Sequence, residues 1–241
     1  MCEDCGCADS HGREHEVIGQ ILEENEREAR HNRAHFDSAG VLVVNLMSSP
    51  GSGKTALIEA TIDALKPVHR MAVIVGDLET ENDAVRIRAH GVPAVQISTG
   101  SACHLDARMV HDALQEIDLD RIDVLFIENV GNLVCPANFD LGQHRNVALL
   151  SITEGDDKPA KYPVMFRAAD LVLITKADLG PYIDDFDAAR AERHLRALAN
   201  PAPVFALSAK RRLHLRPWLK WLSSELHALR ASSPGALANP P

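Results

Sequence analysis

The residues best equipped for chemistry are Ser48-Ser49-Pro50-Gly51-Ser52-Gly53-Lys54-Thr55. They follow the apolar run 41–47 and lead into a helical pattern from Ala56 to Leu65. A strand, a glycine-rich turn and a helix start are the setting that a phosphate-binding loop requires. Gly51 and Gly53 let successive backbone N–H groups curl around an anion, and the helix start adds positive partial charge. The cradle spans Gly51, Ser52, Gly53, Lys54, Thr55 and Ala56. Lys54 is expected at the β/γ-phosphates and the Thr55 hydroxyl at one Mg²⁺ position. Ser48 stands where such loops usually carry their first glycine.

Phosphoryl transfer needs Mg²⁺, which takes hard oxygen ligands and keeps several waters. Two acidic motifs follow apolar runs: Gly76-Asp77-Leu78-Glu79 and Glu128-Asn129-Val130-Gly131. Asp77 and Glu128 are the candidate magnesium carboxylates, and the Gly131 N–H is a candidate γ-phosphate contact. Taken singly, each acid also reads as a helix cap or turn residue. Further on, Thr175-Lys176-Ala177-Asp178 resembles the guanine-reading Asn-Lys-x-Asp element of GTPases. Asp178 can accept from both N1–H and the exocyclic amine of guanine, whereas adenine offers no such donor pair. Lys176 would cover the base with its alkyl stem. Thr175 replaces the usual asparagine, which is expected to loosen the tie between this loop and the phosphate loop. Ser208-Ala209-Lys210 resembles the last base-contacting loop of GTPases.

The sulfur chemistry is equally clustered. Cys2-x-x-Cys5-Gly6-Cys7 puts three thiolates within six residues, and Gly6 allows the tight fold that brings them to one ion. With Met1 trimmed, the amine of Cys2 is a possible fourth ligand. Such a set suits square-planar Ni²⁺ or, folded otherwise, tetrahedral Zn²⁺. A second group comprises Cys103, His104 and Cys135. Three soft or borderline ligands invite a site shared across a two-fold axis. The same residues read equally well as two small buried apolar side chains and a surface histidine.

The elements that position these residues form an alternating pattern. Apolar runs rich in Val, Ile and Leu fall at 41–47, 71–75, 94–97, 124–127, 147–152, 171–175 and 204–207. Helical candidates fall at 55–65, 81–90, 104–117, 163–168, 185–199 and 214–230. This predicts an α/β fold with a doubly wound, mostly parallel sheet and ligands at the carboxyl ends of the strands. The chain divides into a cysteine motif at 1–7, a polar helical arm or linker at 8–40, a phosphate-loop domain at 41–230 and a disordered tail at 231–241. Val17, Ile18, Ile21 and Leu22 give the 8–40 segment its apolar face, which either docks on the domain or serves as an arm. Four of the twelve histidines, His11, His15, His31 and His35, lie in it.

Composition narrows the function. The net charge of −9 argues against a nucleic-acid-binding surface. No apolar run approaches the roughly 20 residues that span a bilayer, so no membrane role is expected. The start of the chain has no basic segment followed by an apolar one, and the expected location is cytoplasmic. Five cysteines, an odd number, favour metal or redox chemistry over a disulfide framework.

The cysteine start, the Ser48–Thr55 loop, Asp77-Leu78-Glu79-Thr80-Glu81-Asn82-Asp83, Cys103-His104-Leu105, the run from Glu128 to Pro136, and Glu154-Gly155-Asp156-Asp157-Lys158 together resemble the HypB family. These are GTPases that assist nickel insertion into nickel–iron hydrogenase. The resemblance covers residues 1–7 and about 41–210. It implies the dimerising class of phosphate-loop GTPases and MinD-type ATPases, slow hydrolysis of GTP to GDP, and a homodimer promoted by GTP. It implies a tight nickel site at Cys2, Cys5 and Cys7, and a weaker nickel or zinc site at Cys103, His104 and Cys135, near the dimer interface and coupled to nucleotide state. Lys161 matches a lysine that reaches the partner subunit's phosphates, joining Lys54, Asp77 and Glu128 in the catalytic set. The implied partners are a small zinc protein of the HypA type, the hydrogenase large subunit and sometimes a prolyl isomerase. The histidines here are scattered rather than gathered in a tract, so nickel storage is not expected. The rival readings are a phosphate-loop kinase of a small molecule, a non-catalytic metal buffer, and a GTPase serving another metalloenzyme such as urease.

Overall fold

The first strand and everything hydrogen-bonded to it explain the architecture. β1 (Leu42–Ser48) is buried along its whole length, with Leu42, Val44 and Leu46 on one face and Val43 and Met47 on the other. A strand buried on both faces must lie inside a sheet covered by helices on each side. A computed structural model describes residues 7–77, 81–100 and 102–232 of the chain, with side chains from residue 19 onward. In it, β1 is central to a seven-stranded sheet whose order is β3-β2-β4-β1-β5-β6-β7. The other strands are β2 (Met71–Asp77), β3 (Ala94–Ser98), β4 (Val124–Glu128), β5 (Arg145–Ser151), β6 (Leu171–Thr175) and β7 (Val204–Ala206). Every pairing is parallel. The chain winds outward from β1 through β2 to β3, returns through β4, then winds the other way from β5. Ligand clefts form at such a reversal, beyond the strand ends.

One face carries α2 (Lys54–Leu65), α3 (Asn82–Ala89) and α8 (Arg216–Ser232), which bury Leu57, Ile62, Ile87 and Trp218 against the sheet. In α8, Trp218, Leu222 and Leu226 recur every four residues and form its buried stripe. The Trp218 indole N–H donates to Thr61 Oγ1 at 2.8 Å, so the buried ring leaves no donor unsatisfied. The other face carries α1 (Cys7–Ala39) and α4 (Ala107–Leu114) over one half of the sheet. Over the other half, α6 (Pro163–Ala168) and α7 (Ala188–Ala197) cover it, with short α5 (Lys158–Lys161) before them. Two features depart most clearly from the sequence pattern, beyond shifts of a few residues at other element ends. α4 starts at Ala107, because Asp106 caps it by accepting from the Met109 N–H at 2.7 Å; His104 lies in the preceding turn. α5 has no apolar periodicity, being only one turn long.

α1 is a single 33-residue helix, and Gly40 at φ +63° ends it. Its second half docks on the domain. The stripe is Asn25, Ala29, Asn32 and Phe36, all buried, while Ile21 stays exposed. The asparagines replace apolar contacts with hydrogen bonds to backbone. Asn32 Nδ2 donates to the carbonyls of Ala107 and Leu141, at 2.7 and 3.2 Å. Asn25 donates to the Asp140 carbonyl and accepts from the Ala107 N–H. Gly142, at φ +88°, leaves room for this helix: a Cβ there would sit 2.7 Å from the Ala29 carbonyl oxygen. Among the described residues no helix is long and apolar enough to cross a membrane.

Candidate nucleotide cleft and metal loop

The loop between β1 and α2 has the geometry its glycines allow. Gly51 and Gly53 take φ +74° and +99°, in the left-handed region, and α2 begins directly after Gly53. Ser52 is fully buried under this loop, and Lys54 and Thr55 are nearly so. Lys54 Nζ donates to Ser48 Oγ at 3.1 Å, so the serine in place of the first glycine acts as a seat for the lysine. Burial pushes the Lys54 ammonium below its ordinary value, against the opposing pull of nearby carboxylates led by Glu128.

A cleft of about 400 Å³ opens beside this loop. Its walls include Gly51, Gly53, Lys54, Thr55 and Ala56 together with Asp77, Glu128 and Gly131. Parallel pairing of β4 with both β1 and β2 brings these strand ends together. Thr55 Oγ1 donates to Glu128 Oε1 at 2.7 Å. Among the described residues, the other carboxylate oxygen of Glu128 is buried and has no hydrogen-bond partner. Burial pushes the Glu128 carboxyl up to about 7, against the opposing effects of Lys54 and Thr55. A hydroxyl, a buried carboxylate with a spare oxygen and a lysine fit a hydrated magnesium ion and an anionic phosphate chain. Gly131 packs so closely on the loop that a Cβ would lie 2.8 Å from Pro50 Cα.

Three residues in and beside the cleft take roles that residue type and spacing do not assign, although Asp83 and Glu154 lie within motifs of the family resemblance. Asp83 and Arg86 line the same cleft from α3, and Arg86 pairs with Asp83 and Glu59 at 2.8 Å each. Glu154, beyond β5, clamps the phosphate loop: its two oxygens accept from Ser49 Oγ at 2.7 Å and Ser52 Oγ at 2.5 Å. Its position depends on β5 pairing with β1, a contact between segments about 100 residues apart.

The loop after β6 corrects one expectation. Thr175 Oγ1 donates to the Ser52 carbonyl at 2.7 Å, with both residues buried. A tie to the phosphate loop is therefore kept, because the threonine hydroxyl reaches the loop's backbone from the strand end. Lys176 follows in the left-handed region at φ +58°, and Asp178 is a partly buried carboxylate 3.9 Å from Arg211 Nε. The Ala177 N–H donates to the Leu207 carbonyl, which joins this loop to Ser208, Ala209 and Lys210. Ser208 is buried and its Oγ accepts from the Arg211 N–H, while Lys210 is exposed. Lys161 lies outside the cleft, exposed on α5 and paired with Asp157 at 2.6 Å.

Cys103, His104 and Cys135 come together although 32 residues separate the cysteines. Their ligand atoms all lie within 4.8 Å of one another. The two Sγ atoms are 2.9 Å apart, and Cys103 Sγ is 3.8 Å from His104 Nδ1. The bond with Cys103, and then burial, raise the Cys135 thiol, and burial lowers His104. An imidazole beside two cysteine sulfurs is a borderline-metal donor set with a position left open. The His104 ring stacks on Phe139 at 3.9 Å between centroids. Among the sequence candidates, Cys2 and Cys5 lie outside the described residues, and Cys7 is the first residue of α1, its side chain not described.

The family described as the CobW/HypB/UreG nucleotide-binding domain matches residues 42–206. The chain is 50% identical over 210 residues to the hydrogenase maturation factor HypB of Escherichia coli K12, covering 87% of this chain and 72% of that one. It is 47% identical over 201 residues to the hydrogenase/urease maturation factor HypB of Helicobacter hepaticus, covering 82% of each. A crystal structure of Helicobacter pylori HypB in complex with nickel superposes with a TM-score of 0.81 at 40% identity, over 85% of this chain and 96% of that one. More distant structures, a LAO/AO transport system kinase and the signal recognition particle receptor FtsY, share the fold at TM-scores of 0.51 and 0.50. The fold is shared with these proteins, and the chain belongs to the HypB branch of the CobW/HypB/UreG nucleotide-binding family.

Proposed function

We propose that this chain is a GTP-hydrolysing nickel chaperone of hydrogenase maturation, in which one loop couples nucleotide state to metal binding. The observation that carries the reading is the course of residues 128–136. Glu128 sits in the cleft, and Cys135 sits at the metal cluster seven residues on. Between them, Asn129 Nδ2 donates to Asn45 Oδ1 of β1, and Asn129 Oδ1 accepts from the Leu105 N–H at 3.3 Å. Gly131 rests on Pro50, and Asn132 Nδ2 donates to the Cys103 carbonyl at 3.2 Å. In this reading a shift of the loop at the cleft is carried to the cysteines through these contacts.

In this reading Gly51–Ala56, Lys54 and Gly131 hold the phosphates. Thr55, Asp77 and Glu128 hold Mg²⁺, which would supply charge neutralisation at the phosphates. Lys176, Asp178 and Ser208–Lys210 read guanine, and Glu154 and Thr175 position the phosphate loop. Lys161 serves the partner subunit of a GTP-promoted homodimer. Nickel or zinc is the cargo, bound by Cys103, His104 and Cys135 and by Cys2, Cys5 and Cys7. A HypA-type protein, the hydrogenase large subunit and a prolyl isomerase are the proposed partners. The names and nickel-bound structure of the relatives support hydrogenase as the destination. The Helicobacter hepaticus relative, named for both hydrogenase and urease, supports urease as a second one.

The test is a nickel titration of protein loaded with GDP or with a non-hydrolysable GTP analogue. Affinities should differ, and linkage requires an equal effect of nickel on nucleotide affinity. Equal nickel affinities in the two states overturn the coupling. Asn132→Ala should shrink the difference while leaving each ligand bound. Competition between GTP and ATP separates this reading from a small-molecule kinase.

A further inference from the structure

The interface of α1 with α4 holds a second group of metal-type ligands. Glu28, His31 and His35 follow one another at i, i+3 and i+7 on α1, and His111 faces them from α4. That spacing places a carboxylate and two imidazoles on one side of a helix. His31 Nδ1 lies 3.5 Å from Glu28 Oε1, and His111 Nδ1 lies 3.7 Å from the same oxygen. The three ligand atoms of Glu28, His31 and His111 fall within 4.8 Å of one another. The His31 and His111 rings stack with centroids 5.2 Å apart.

We infer that Glu28, His31 and His111 form a further site for a borderline divalent cation of the Ni²⁺ or Zn²⁺ kind. A tetrahedral ion with metal–nitrogen bonds of about 2.0–2.1 Å places its ligands about 3.4 Å apart. The 3.5 and 3.7 Å separations are close to that edge, so small side-chain rotations complete the triangle. His35 supplies the outer support. Its Nε2 is 3.1 Å from His31 Nε2, on the far side of the ring from Glu28. With His31 Nδ1 on the ion, the His31 Nε2–H donates to His35, an outer hydrogen bond that orients the ligating ring as a carboxylate, carbonyl or water more often does. His111 gives up its 3.3 Å contact with Asn32 Oδ1, which keeps its place through Nδ2. A fourth position is open to water or a donor ligand.

Exposure marks the site as exchangeable: the Glu28 and His111 side chains are 28% exposed and His31 is 54% exposed. Its groove ends on a ring that touches the cysteine cluster. Glu28, His111, Asp106 and Phe139 line one cavity of about 410 Å³, and Phe139 is the ring stacked on His104. The groove therefore reaches the cysteine cluster only through the contact of Phe139 with His104. The inference rests on these side chains alone and is independent of the GTP reading.

The test is calorimetric titration of Ni²⁺ and Zn²⁺ into full-length protein with all five cysteines changed to serine. One ion per chain should still bind, and His111→Gln or His31→Gln should weaken it tenfold or more with helix content and nucleotide binding unchanged. His35→Gln should weaken it less. No residual stoichiometric binding, or binding that survives His111→Gln and falls with His11→Gln and His15→Gln, overturns the site. Should the serine variant fail to fold, histidine side-chain NMR of the intact protein with substoichiometric Co²⁺ gives the same decision. His31 and His111 resonances must broaden among the first; if both stay sharp while the cysteine sites fill and beyond one further equivalent, the assignment is wrong.

Discussion

Thr175 is the place where the structure makes its sharpest demand. Its hydroxyl donates 2.7 Å to the Ser52 carbonyl, and the two residues are 2% and 0% exposed. Thr175→Val keeps the shape and removes the donor. The Ser52 carbonyl then stays buried without this partner, which costs about 1–3 kcal/mol. In a chain of this size each kcal/mol lowers the melting temperature by about 2–4 °C. Ser52 also carries the Glu154 contact, so relaxation of its peptide group disturbs the centre of the phosphate loop. A loss of 1.4 kcal/mol in loop organisation appears as about a tenfold weaker nucleotide Kd. Thermal unfolding and titration with a fluorescent guanine nucleotide measure the two effects, and Thr175→Asn, whose amide can donate, should recover much of both. A Thr175→Val protein that melts and binds nucleotide like the parent refutes the claim that this bond organises the loop.

Gly131→Ala should weaken nucleotide binding by about tenfold, because its Cβ would meet Pro50 backbone at 2.8 Å and overpacking of that kind costs about 1–3 kcal/mol; the same nucleotide titration checks it. Gly142→Ala should detach the second half of α1, since the new Cβ collides with the Ala29 carbonyl oxygen at 2.7 Å; faster hydrogen exchange across residues 25–36, with nucleotide binding kept, is the expected result. Asp123 makes stability fall in acid. Burial pushes its carboxyl up, but hydrogen bonds from the Arg70 side chain and backbone and from Arg230 outweigh that and hold it well below the usual range. Its folded pKa lies below its unfolded one, so the contribution is complete above about pH 5 and fades as pH falls through about 4 and lower. Both arginines are about half exposed, so the contribution is about 2 kcal/mol; Asp123→Asn should lower stability at pH 7 by that amount and flatten the acid limb of a urea-unfolding series.

The sequence by itself determined the phosphate loop, the alternation of strands and helices, and the residues that end the strands. These are local matters: glycine where φ must be positive, continuous Val, Ile and Leu where a strand is buried on both faces, and chemistry-bearing residues directly after such runs. Strand order was not legible there. Only the tertiary structure decided that β4 returns beside β1, which brings Glu128 to Thr55 and Cys135 to Cys103. The same holds for Glu154, whose two serine partners lie about 100 residues away, and for Thr175, whose hydroxyl keeps a tie that its residue type had argued against. α1 is the clearest case. Its docking stripe passes through Asn25 and Asn32, which hydrophobic periodicity scores as solvent-facing, and burial is possible only because Asp140, Leu141 and Ala107 offer backbone partners. A polar side chain is buried when the fold supplies its hydrogen bonds, and those partners come from distant segments that no local pattern encodes.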